Sequence, residues 1–161
     1  MNKNIIITGG LGFIGSNLIE TLIKKKYFVV NIDKANYASN FYNTKKFQNL
    51  PNYKFYKLDI NNKKKVKTIF NKYKPSAIFN LAAETHVDRS IDKAHHFIRS
   101  NIVGVYSLLE AIRKFENKRK KKIKFLQVST DEVYGDIPNN KKASENNNYN
   151  PSSPYSASKA G

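Results

Sequence analysis

The segment Thr8-Gly9-Gly10-Leu11-Gly12-Phe13-Ile14-Gly15 decides the fold. It follows a short apolar run that predicts a buried strand, and it opens a stretch whose apolar residues recur at helical spacing. In this strand–turn–helix setting Gly9 permits a tight turn, Gly12 lets the backbone approach a pyrophosphate, and Gly15 allows close packing of helix on strand. The phosphates would meet the free N–H groups and the positive end of the helix. The segment therefore predicts a dinucleotide-binding turn.

The rest of the chain repeats the same alternation of strand and helix. We predict a parallel sheet with helices on both faces, in the strand order 3-2-1-4-5, which is a Rossmann-like doubly wound α/β fold. The long polar segments 34–52 and 136–153 are predicted to be loops. The predicted strands are Asn4–Thr8, Phe28–Ile32, Tyr53–Leu58, Ser76–Leu81 and Ile123–Ser129, and the predicted helices are Phe13–Lys26, Asn62–Tyr73, Asp92–Phe115 and Pro154–Gly161.

Composition limits the class of protein. The 161 residues include no cysteine, which argues against a disulfide framework, and no metal site is predicted. The apolar runs are too short to span a bilayer and the N-terminus has no signal-peptide pattern, so we expect a cytoplasmic protein without a membrane partner. The net charge of +17 lies mainly in loops and helix ends, such as Lys118–Lys122, which we expect to end a helix. No nucleic-acid recognition pattern accompanies this charge.

Two acidic residues follow predicted strands on the nucleotide side of the sheet. Asp33 closes the second strand, where a carboxylate accepts hydrogen bonds from an adenosine ribose and repels a 2′-phosphate. NAD is therefore favoured over NADP, although Lys34 stands beside this aspartate. Asp59 follows the third strand, and two roles remain open for it: binding the adenine or capping the helix that follows.

Three further segments stand where ligands bind in open parallel sheets, after strands four and five and at the last helix. Tyr155 and Lys159 are four residues apart and share a face of that helix. An ammonium beside a phenol lowers the pKa of the phenol, so this pair is a candidate base, unless it is an ordinary surface pair. Asp131 and Glu132 form either an acidic turn or an acid–base pair whose members differ in burial. The role of His86, structural or functional, remains open.

Four features together carry a resemblance to a known family. They are the glycine turn, the stretch Ala-Ala-Glu-Thr-His-Val-Asp-Arg-Ser at 82–90, Ser-Thr-Asp-Glu-Val-Tyr-Gly at 129–135, and the Tyr155/Lys159 pair. The chain resembles the dTDP-glucose 4,6-dehydratase family, within the NAD-dependent epimerases and dehydratases of the extended short-chain dehydrogenase group. Thr130-Asp131-Glu132 is the most specific mark. Related epimerases have small or hydroxylated residues there, and GDP-mannose dehydratases and UDP-glucuronate decarboxylases usually have Ser in place of the Asp.

The resemblance implies a dehydratase mechanism with dTDP-glucose as substrate and tightly bound NAD as a transient hydride carrier. Tyr155 would take the proton of the 4-hydroxyl, Thr130 would hold the 4-oxygen, and Lys159 would orient the nicotinamide ribose. Glu132 would then remove the C5 proton while Asp131 protonates the departing 6-hydroxyl, and Thr85 would contact the substrate. The residues predicted to bind NAD are Gly9, Gly12, Phe13, Ile14, Gly15, Asp33, Lys34, Ala35, Asn36, Asp59, Ile60, Leu81, Ala82, Ala83, Thr85, Ser100, Tyr155 and Lys159.

By the same resemblance, residues 1–161 are expected to form an incomplete NAD-binding domain that lacks a C-terminal substrate-binding domain. The 161 residues alone would then be weakly active or inactive, and the full-length protein would be a homodimer through its long helix and the Tyr155 helix. Two alternatives stay open: another NAD-dependent epimerase or dehydratase acting on a UDP- or GDP-sugar, and a non-catalytic nucleotide-binding fragment.

Overall fold

The computed structural model describes residues 4–138 and 142–161. These residues fall into two compact units. We call them the sheet unit, residues 4–82 and 104–128, and the helical unit, residues 83–103, 129–138 and 142–161. The assignment of the whole chain to one incomplete domain stays a prediction.

The sheet unit contains five parallel strands in the order 3-2-1-4-5, as the sequence predicts. At one border of the sheet, β5 pairs with β4 alone among the described strands. The strands are β1 (Asn4–Thr8), β2 (Phe28–Asp33), β3 (Tyr53–Lys57), β4 (Ala77–Asn80) and β5 (Lys124–Gln127), and the helices of this unit are α1 (Phe13–Lys24), a 3-10 helix (Phe41–Phe47), α2 (Lys63–Tyr73) and α5 (Gly104–Arg119).

Alternate residues of the central strands feed two separate cores, one on each face of the sheet. On one face Ile6 and Val30 join Phe70 of α2 in a cluster that also includes residues of α5. On the other face Ile7 packs with Ile19 of α1 in a second cluster. Because both faces are covered, the inner strands are continuous apolar runs rather than alternating ones.

The ends of α2 are fixed by local hydrogen bonds. At its start the side chain of Asn62 accepts a hydrogen bond from the backbone N–H of Lys65. At its end Lys74 adopts a left-handed conformation with φ of 47°. Asp59 instead accepts a 2.8 Å bond from the N–H of Asn61, so the alternative that Asp59 caps this helix is wrong.

The helical unit is built from short elements around the last helix. That helix, α6 (Pro154–Ala160), contacts each of the four other elements of the unit. A capping box formed by Ser153 and Ser156 stabilises its first turn. The predicted helix at this position is confirmed. The other elements are α3 (Val87–Asp92), α4 (Ala94–Phe97), a π-helix (Ile98–Val103) and a 3-10 helix (Asp131–Tyr134).

Two of the predicted elements are wrong in part. The single helix predicted over Asp92–Phe115 is instead α4, the π-helix and α5, and α5 runs on to Arg119. Ile98 and Leu109, two apolar residues of this segment, are 46% and 43% exposed, because the wider π turn shifts the helical face. The loop predicted over 34–52 contains the 3-10 helix at Phe41–Phe47.

The basic run at 118–122 ends a helix, as predicted, because α5 stops at Arg119 and Lys120 has a φ of 49°. Over residues 4–138 and 142–161, no helix combines the length and apolar character needed to cross a membrane.

Candidate active site

The glycine turn of the sheet unit contains two glycines that its own backbone requires. Gly9 has a φ of 74°, and a Cβ there would lie 2.7 Å from the carbonyl of Leu81 and from the N atom of Ala82. A Cβ on Gly15 would lie 2.3 Å from the Gly9 carbonyl oxygen. Gly9 therefore allows the turn to pass close to the chain after β4, and Gly15 allows α1 to begin against the turn.

Gly12 differs from these two because the fold leaves room for a side chain there. A Cβ on Gly12 would lie no closer than 3.4 Å to its nearest neighbour, the Gly9 oxygen. No side chain caps α1 and no acidic residue stands in its first turn. Phe13 and Ile14, the first residues of α1, are 82% and 62% exposed. The open backbone and the uncapped helix end fit the pyrophosphate of a dinucleotide, and the two exposed apolar side chains offer a surface that the rest of such a ligand can cover.

Gly10 is a position that the sequence reasoning missed. A Cβ on Gly10 would lie 2.2 Å from the Asn31 Oδ1 atom, so Gly10 is required by packing. Asn31 is fully buried within β2, and its Nδ2 donates a 2.9 Å hydrogen bond to the Tyr53 hydroxyl. A lone asparagine in an otherwise apolar strand was the available signal that a neighbouring backbone approaches closely.

Asp33 holds the glycine turn to the segment after β2. Its buried carboxylate accepts hydrogen bonds from the N–H of Leu11 (2.9 Å), the N–H of Ala35 (2.8 Å) and the hydroxyl of Ser39 (2.8 Å). A carboxylate accepts about four hydrogen bonds, so Asp33 keeps capacity for one more partner. Its predicted contact with a ribose is compatible with this arrangement and stays a prediction.

The remaining cofactor candidates of the sheet unit differ in exposure. Ile60 is 5% exposed and belongs to a core cluster, so packing accounts for it. Lys34, Asn36 and Asp59 are half-buried. Beyond β4, the Ala82 N–H donates to the Thr8 hydroxyl, which fixes the chain at Leu81 and Ala82.

In the helical unit the structure brings Tyr155 and Thr130 together. Tyr155 is 8% exposed, its ring packs edge-on against Phe97, and its hydroxyl is hydrogen-bonded to Thr130. Burial raises the pKa of Tyr155 above 10.0; the hydrogen bond to Thr130 opposes this, whereas the charges of Glu132 and Asp131 add to it. The lowered phenol pKa expected from the Tyr155/Lys159 spacing is therefore wrong for the chain by itself.

Lys159 lies on α6 together with Tyr155, as predicted. Burial lowers the pKa of the Lys159 ammonium below 10.5, because desolvation disfavours its charged form. The backbone carbonyl of Lys159 accepts a 3.4 Å hydrogen bond from the Ser129 hydroxyl. The segment after β5 and the helix that carries the candidate base are thus joined directly.

Asp131 and Glu132 begin the short 3-10 helix, whose N-cap is Thr130. The Thr130 hydroxyl accepts a 3.3 Å hydrogen bond from the N–H of Glu132 and lies 3.4 Å from the Asp131 carboxylate. Both acidic side chains are exposed. The difference in burial that we expected to separate an acid from a base is therefore absent from the described chain.

The loop after β4 enters the helical unit at Ala83. Thr85 and His86 are exposed, and His86 stands at the N-cap of α3 without a side-chain capping bond. Ser100, predicted to contact the cofactor, is 8% exposed and lies in the π-helix. Its neighbour Asn101 was missed by the sequence reasoning, and the only signal for it was a polar residue inside an apolar helical pattern.

The strand order and the glycine turn define a Rossmann-like α/β protein. Within that class, the chain belongs to the GDP-mannose 4,6-dehydratase family, whose model matches residues 6–161. The dTDP-glucose 4,6-dehydratase of Haemophilus influenzae is 48% identical over 98% of this chain, and the match covers 48% of that relative. The resemblance inferred from the motifs is confirmed.

Solved structures of a dehydratase and of an epimerase are also similar to this chain. A dTDP-glucose 4,6-dehydratase from Bacillus anthracis, crystallised with NAD, is 37% identical, with a TM-score of 0.84 over 98% of this chain and 47% of that one. A UDP-glucose 4-epimerase from Thermus thermophilus, also with NAD, is 29% identical, with a TM-score of 0.86 over 98% and 47%. The chain spans about half the length of the relatives and structures it matches.

Proposed function

We propose that the whole protein that contains this chain converts dTDP-glucose to dTDP-4-keto-6-deoxy-glucose, with NAD as its bound cofactor. The observation that carries the proposal is the hydrogen bond between Thr130 and Tyr155 next to the acidic pair Asp131 and Glu132, all within the helical unit. The names of the dehydratase relatives support it.

The sheet unit would hold NAD through residues whose geometry is already suited to it. The backbone at Gly12 and the uncapped start of α1 would receive the pyrophosphate, and Asp33 would accept a ribose hydroxyl with its remaining capacity. Phe13 and Ile14 would be covered by the cofactor. When bound, NAD supplies temporary storage for the hydride that leaves C4 of the sugar and later returns to C6.

Tyr155 would act on the sugar 4-hydroxyl, with Thr130 holding the same oxygen. Because burial raises the pKa of Tyr155, the phenol is protonated at neutral pH in the chain alone. To act as a base it needs positive charge that compensates its burial, and Lys159 on the same helix would supply such charge. The hydrogen bond to Thr130 also lowers the pKa of the Tyr155 phenol.

The acidic pair would perform the elimination after the 4-hydroxyl has become a ketone. The ketone acidifies the C5–H bond, Glu132 accepts that proton, and the 6-hydroxyl leaves as water with a proton from Asp131. The exposure of both carboxyl groups means that bound substrate, rather than the fold alone, must set their different protonation states.

The principal alternative is a sugar-nucleotide epimerase, because the epimerase structure from Thermus thermophilus matches this chain as closely in TM-score as the dehydratase structure. An epimerase needs the Tyr155 base but has no step for two adjacent acids. Asp131 and Glu132 therefore discriminate the two reactions.

The test is to supply the whole protein and NAD with dTDP-glucose or UDP-glucose and to resolve the product by mass and NMR. Loss of one water from dTDP-glucose, with little reaction of UDP-glucose, supports the proposal. Unchanged mass with an inverted C4 would assign the protein to the epimerases. Asp131→Asn and Glu132→Gln should each abolish dehydration yet leave NAD binding intact, with the exposed Asp136→Asn as the matched control.

A further inference from the structure

The sheet unit carries a groove between α2 and α5, which we call the α2/α5 groove. Its volume is about 260 Å³, and the residues that line it all belong to the sheet unit. Along α5 the lining runs from Tyr106 to Lys118, which is about 18 Å of helix. Among the described residues that line the groove, none is assigned to NAD or to the sugar chemistry. The groove is therefore a surface that the proposed reaction leaves unexplained.

Lysines stand on both sides of this groove. Lys63, Lys64 and Lys67 belong to α2, whereas Lys114 and Lys118 belong to α5, and all five are exposed. Lys63 and Lys67 are four residues apart, as are Lys114 and Lys118, and like charges at that spacing repel each other on a helix. An anionic partner between the two helices would relieve this repulsion on both of them.

The charge of the groove is not balanced from within. Among the described residues that line it, Glu110 is the one acidic residue, and five lysines against this glutamate leave a net charge of +4. The Glu110 carboxylate is already engaged, because Arg113 donates hydrogen bonds of 2.7 Å and 2.9 Å to its two oxygens. The groove thus offers cations to a partner that brings its own carboxylates.

The floor between the lysines is apolar. The rings of Phe70 and Phe115 pack edge-on with centroids 5.9 Å apart, so they join α2 to α5 at the groove. Ala111 adds a small, half-buried side chain to the lining. Tyr106 is 57% exposed, and the Lys63 ammonium lies 5.1 Å from the centroid of its ring. An apolar floor between two rows of cations suits a ligand with an apolar stripe flanked by carboxylates.

We propose that the α2/α5 groove is a docking surface for an acidic amphipathic helix of a partner protein. Leucine-like side chains of that helix would fill the floor, while its carboxylates would pair with the lysines of α2 and α5. A second copy of this chain does not fit, because its net charge of +17 repels its own kind. A nucleic acid would offer phosphates to the lysines but no apolar side chain to the floor. The proposal is independent of the proposed function.

Binding of a designed peptide to the whole protein that contains this chain tests the proposal. The probe is a fluorescein-labelled helix of about 18 residues, with leucine on one face and glutamate elsewhere, followed by fluorescence anisotropy at low salt. We expect Lys67→Glu combined with Lys114→Glu to lower its affinity at least about tenfold, because one cation on each side is reversed. Lys64→Glu combined with Lys118→Glu should have the same effect.

The matched control makes the same change in net charge on the other face of the sheet. Lys25→Glu combined with Lys45→Glu alters two exposed lysines at the end of α1 and in the 3-10 helix, and the affinity should stay within about twofold. Circular dichroism of each variant separates a loss of binding from a loss of fold. A peptide of the same composition with scrambled order keeps the charge but loses the apolar face, and it should bind about tenfold more weakly.

Four results would overturn the proposal. The first is no binding of the peptide to the unmodified protein. The second is an equal loss of affinity in the groove variants and in the control, which would assign binding to the general positive field. The third is equal affinity for the ordered and scrambled peptides. The fourth is a thymidine oligonucleotide that binds more tightly than the peptide and is weakened by the same groove variants, which would make the surface a nucleic-acid site.

Discussion

Two glycines of the nucleotide turn are present for different reasons: Gly15 is required by packing, whereas Gly12 leaves the backbone open to a ligand. Substituting them one at a time tests both reasons. Gly15→Ala places a methyl group 2.3 Å from the Gly9 carbonyl oxygen, so that oxygen must move by roughly 1 Å. Overpacking of this kind costs about 1–3 kcal/mol, whereas alanine in a helix gains about 1 kcal/mol over glycine. Three backbone atoms lie within 3.0 Å of the added methyl group, so the upper half of the overpacking range applies, and we expect a net loss of about 1–2 kcal/mol in the free energy of unfolding.

Gly12→Ala should have the opposite profile. The added methyl lies 3.4 Å from its nearest neighbour, and the backbone φ of −73° suits any residue, so the only cost is the weaker capping of α1, at most about 1 kcal/mol. The same methyl occupies the path by which the backbone would approach a pyrophosphate. We expect NAD affinity to fall at least about tenfold, which is about 1.4 kcal/mol.

Urea unfolding followed by circular dichroism measures the first quantity, and calorimetric titration with NAD measures the second. The reasoning is refuted if Gly12→Ala binds NAD as tightly as the unmodified chain, because the open space at Gly12 would then serve no ligand. It is also refuted if Gly15→Ala unfolds at an unchanged urea concentration.

Further predictions concern the stability of the sheet unit. Burial raises the pKa of Tyr53 above 10.0 in the folded chain, so the unfolded chain ionises first and the free energy of unfolding should fall as pH rises past about 10. Tyr53→Phe should flatten this slope between pH 9 and 11, whereas Tyr42→Phe, at a residue 77% exposed, should not; equal slopes for both variants would contradict the assignment. Asn62→Ala should cost about 1 kcal/mol by removing the cap of α2, and Asn62→Asp should retain that stability in the same urea titration. An alanine variant as stable as the aspartate variant would show that this cap contributes nothing.

The sheet could be predicted from the sequence because each strand is a compact apolar run next to a turn signal. The order of the five strands matches the doubly wound nucleotide-binding arrangement that the glycine turn indicates. The break between α4 and α5 could not be predicted, because Ile102, Val105 and Ile112 keep helical spacing across the π-helix. The buried face there is lined by Gly104 and Ser107, small residues that hydrophobic periodicity does not detect.

The sequence was sufficient to predict which residues make up the candidate site, but not how buried or exposed each of them is. The spacing of Tyr155 and Lys159 correctly placed both on one helix, yet the sign of the shift in the phenol pKa depends on burial, which spacing does not report. The exposure of Asp131 and Glu132 is likewise a tertiary property. Asn101 could not be predicted because its hydrogen bonds to Glu84 and Ser158 form only in the tertiary fold.

The border of the sheet at β5 has a consequence for how this chain behaves in solution. Among the described strands only β4 pairs with β5, and Leu126 within it is 48% exposed, so its outer edge offers unpaired backbone groups to any passing strand. The net charge of +17 keeps such encounters rare by mutual repulsion. Added salt screens that repulsion. Its range is about 8 Å at physiological ionic strength and shorter at higher ionic strength. We therefore expect the chain to associate more readily as salt is added.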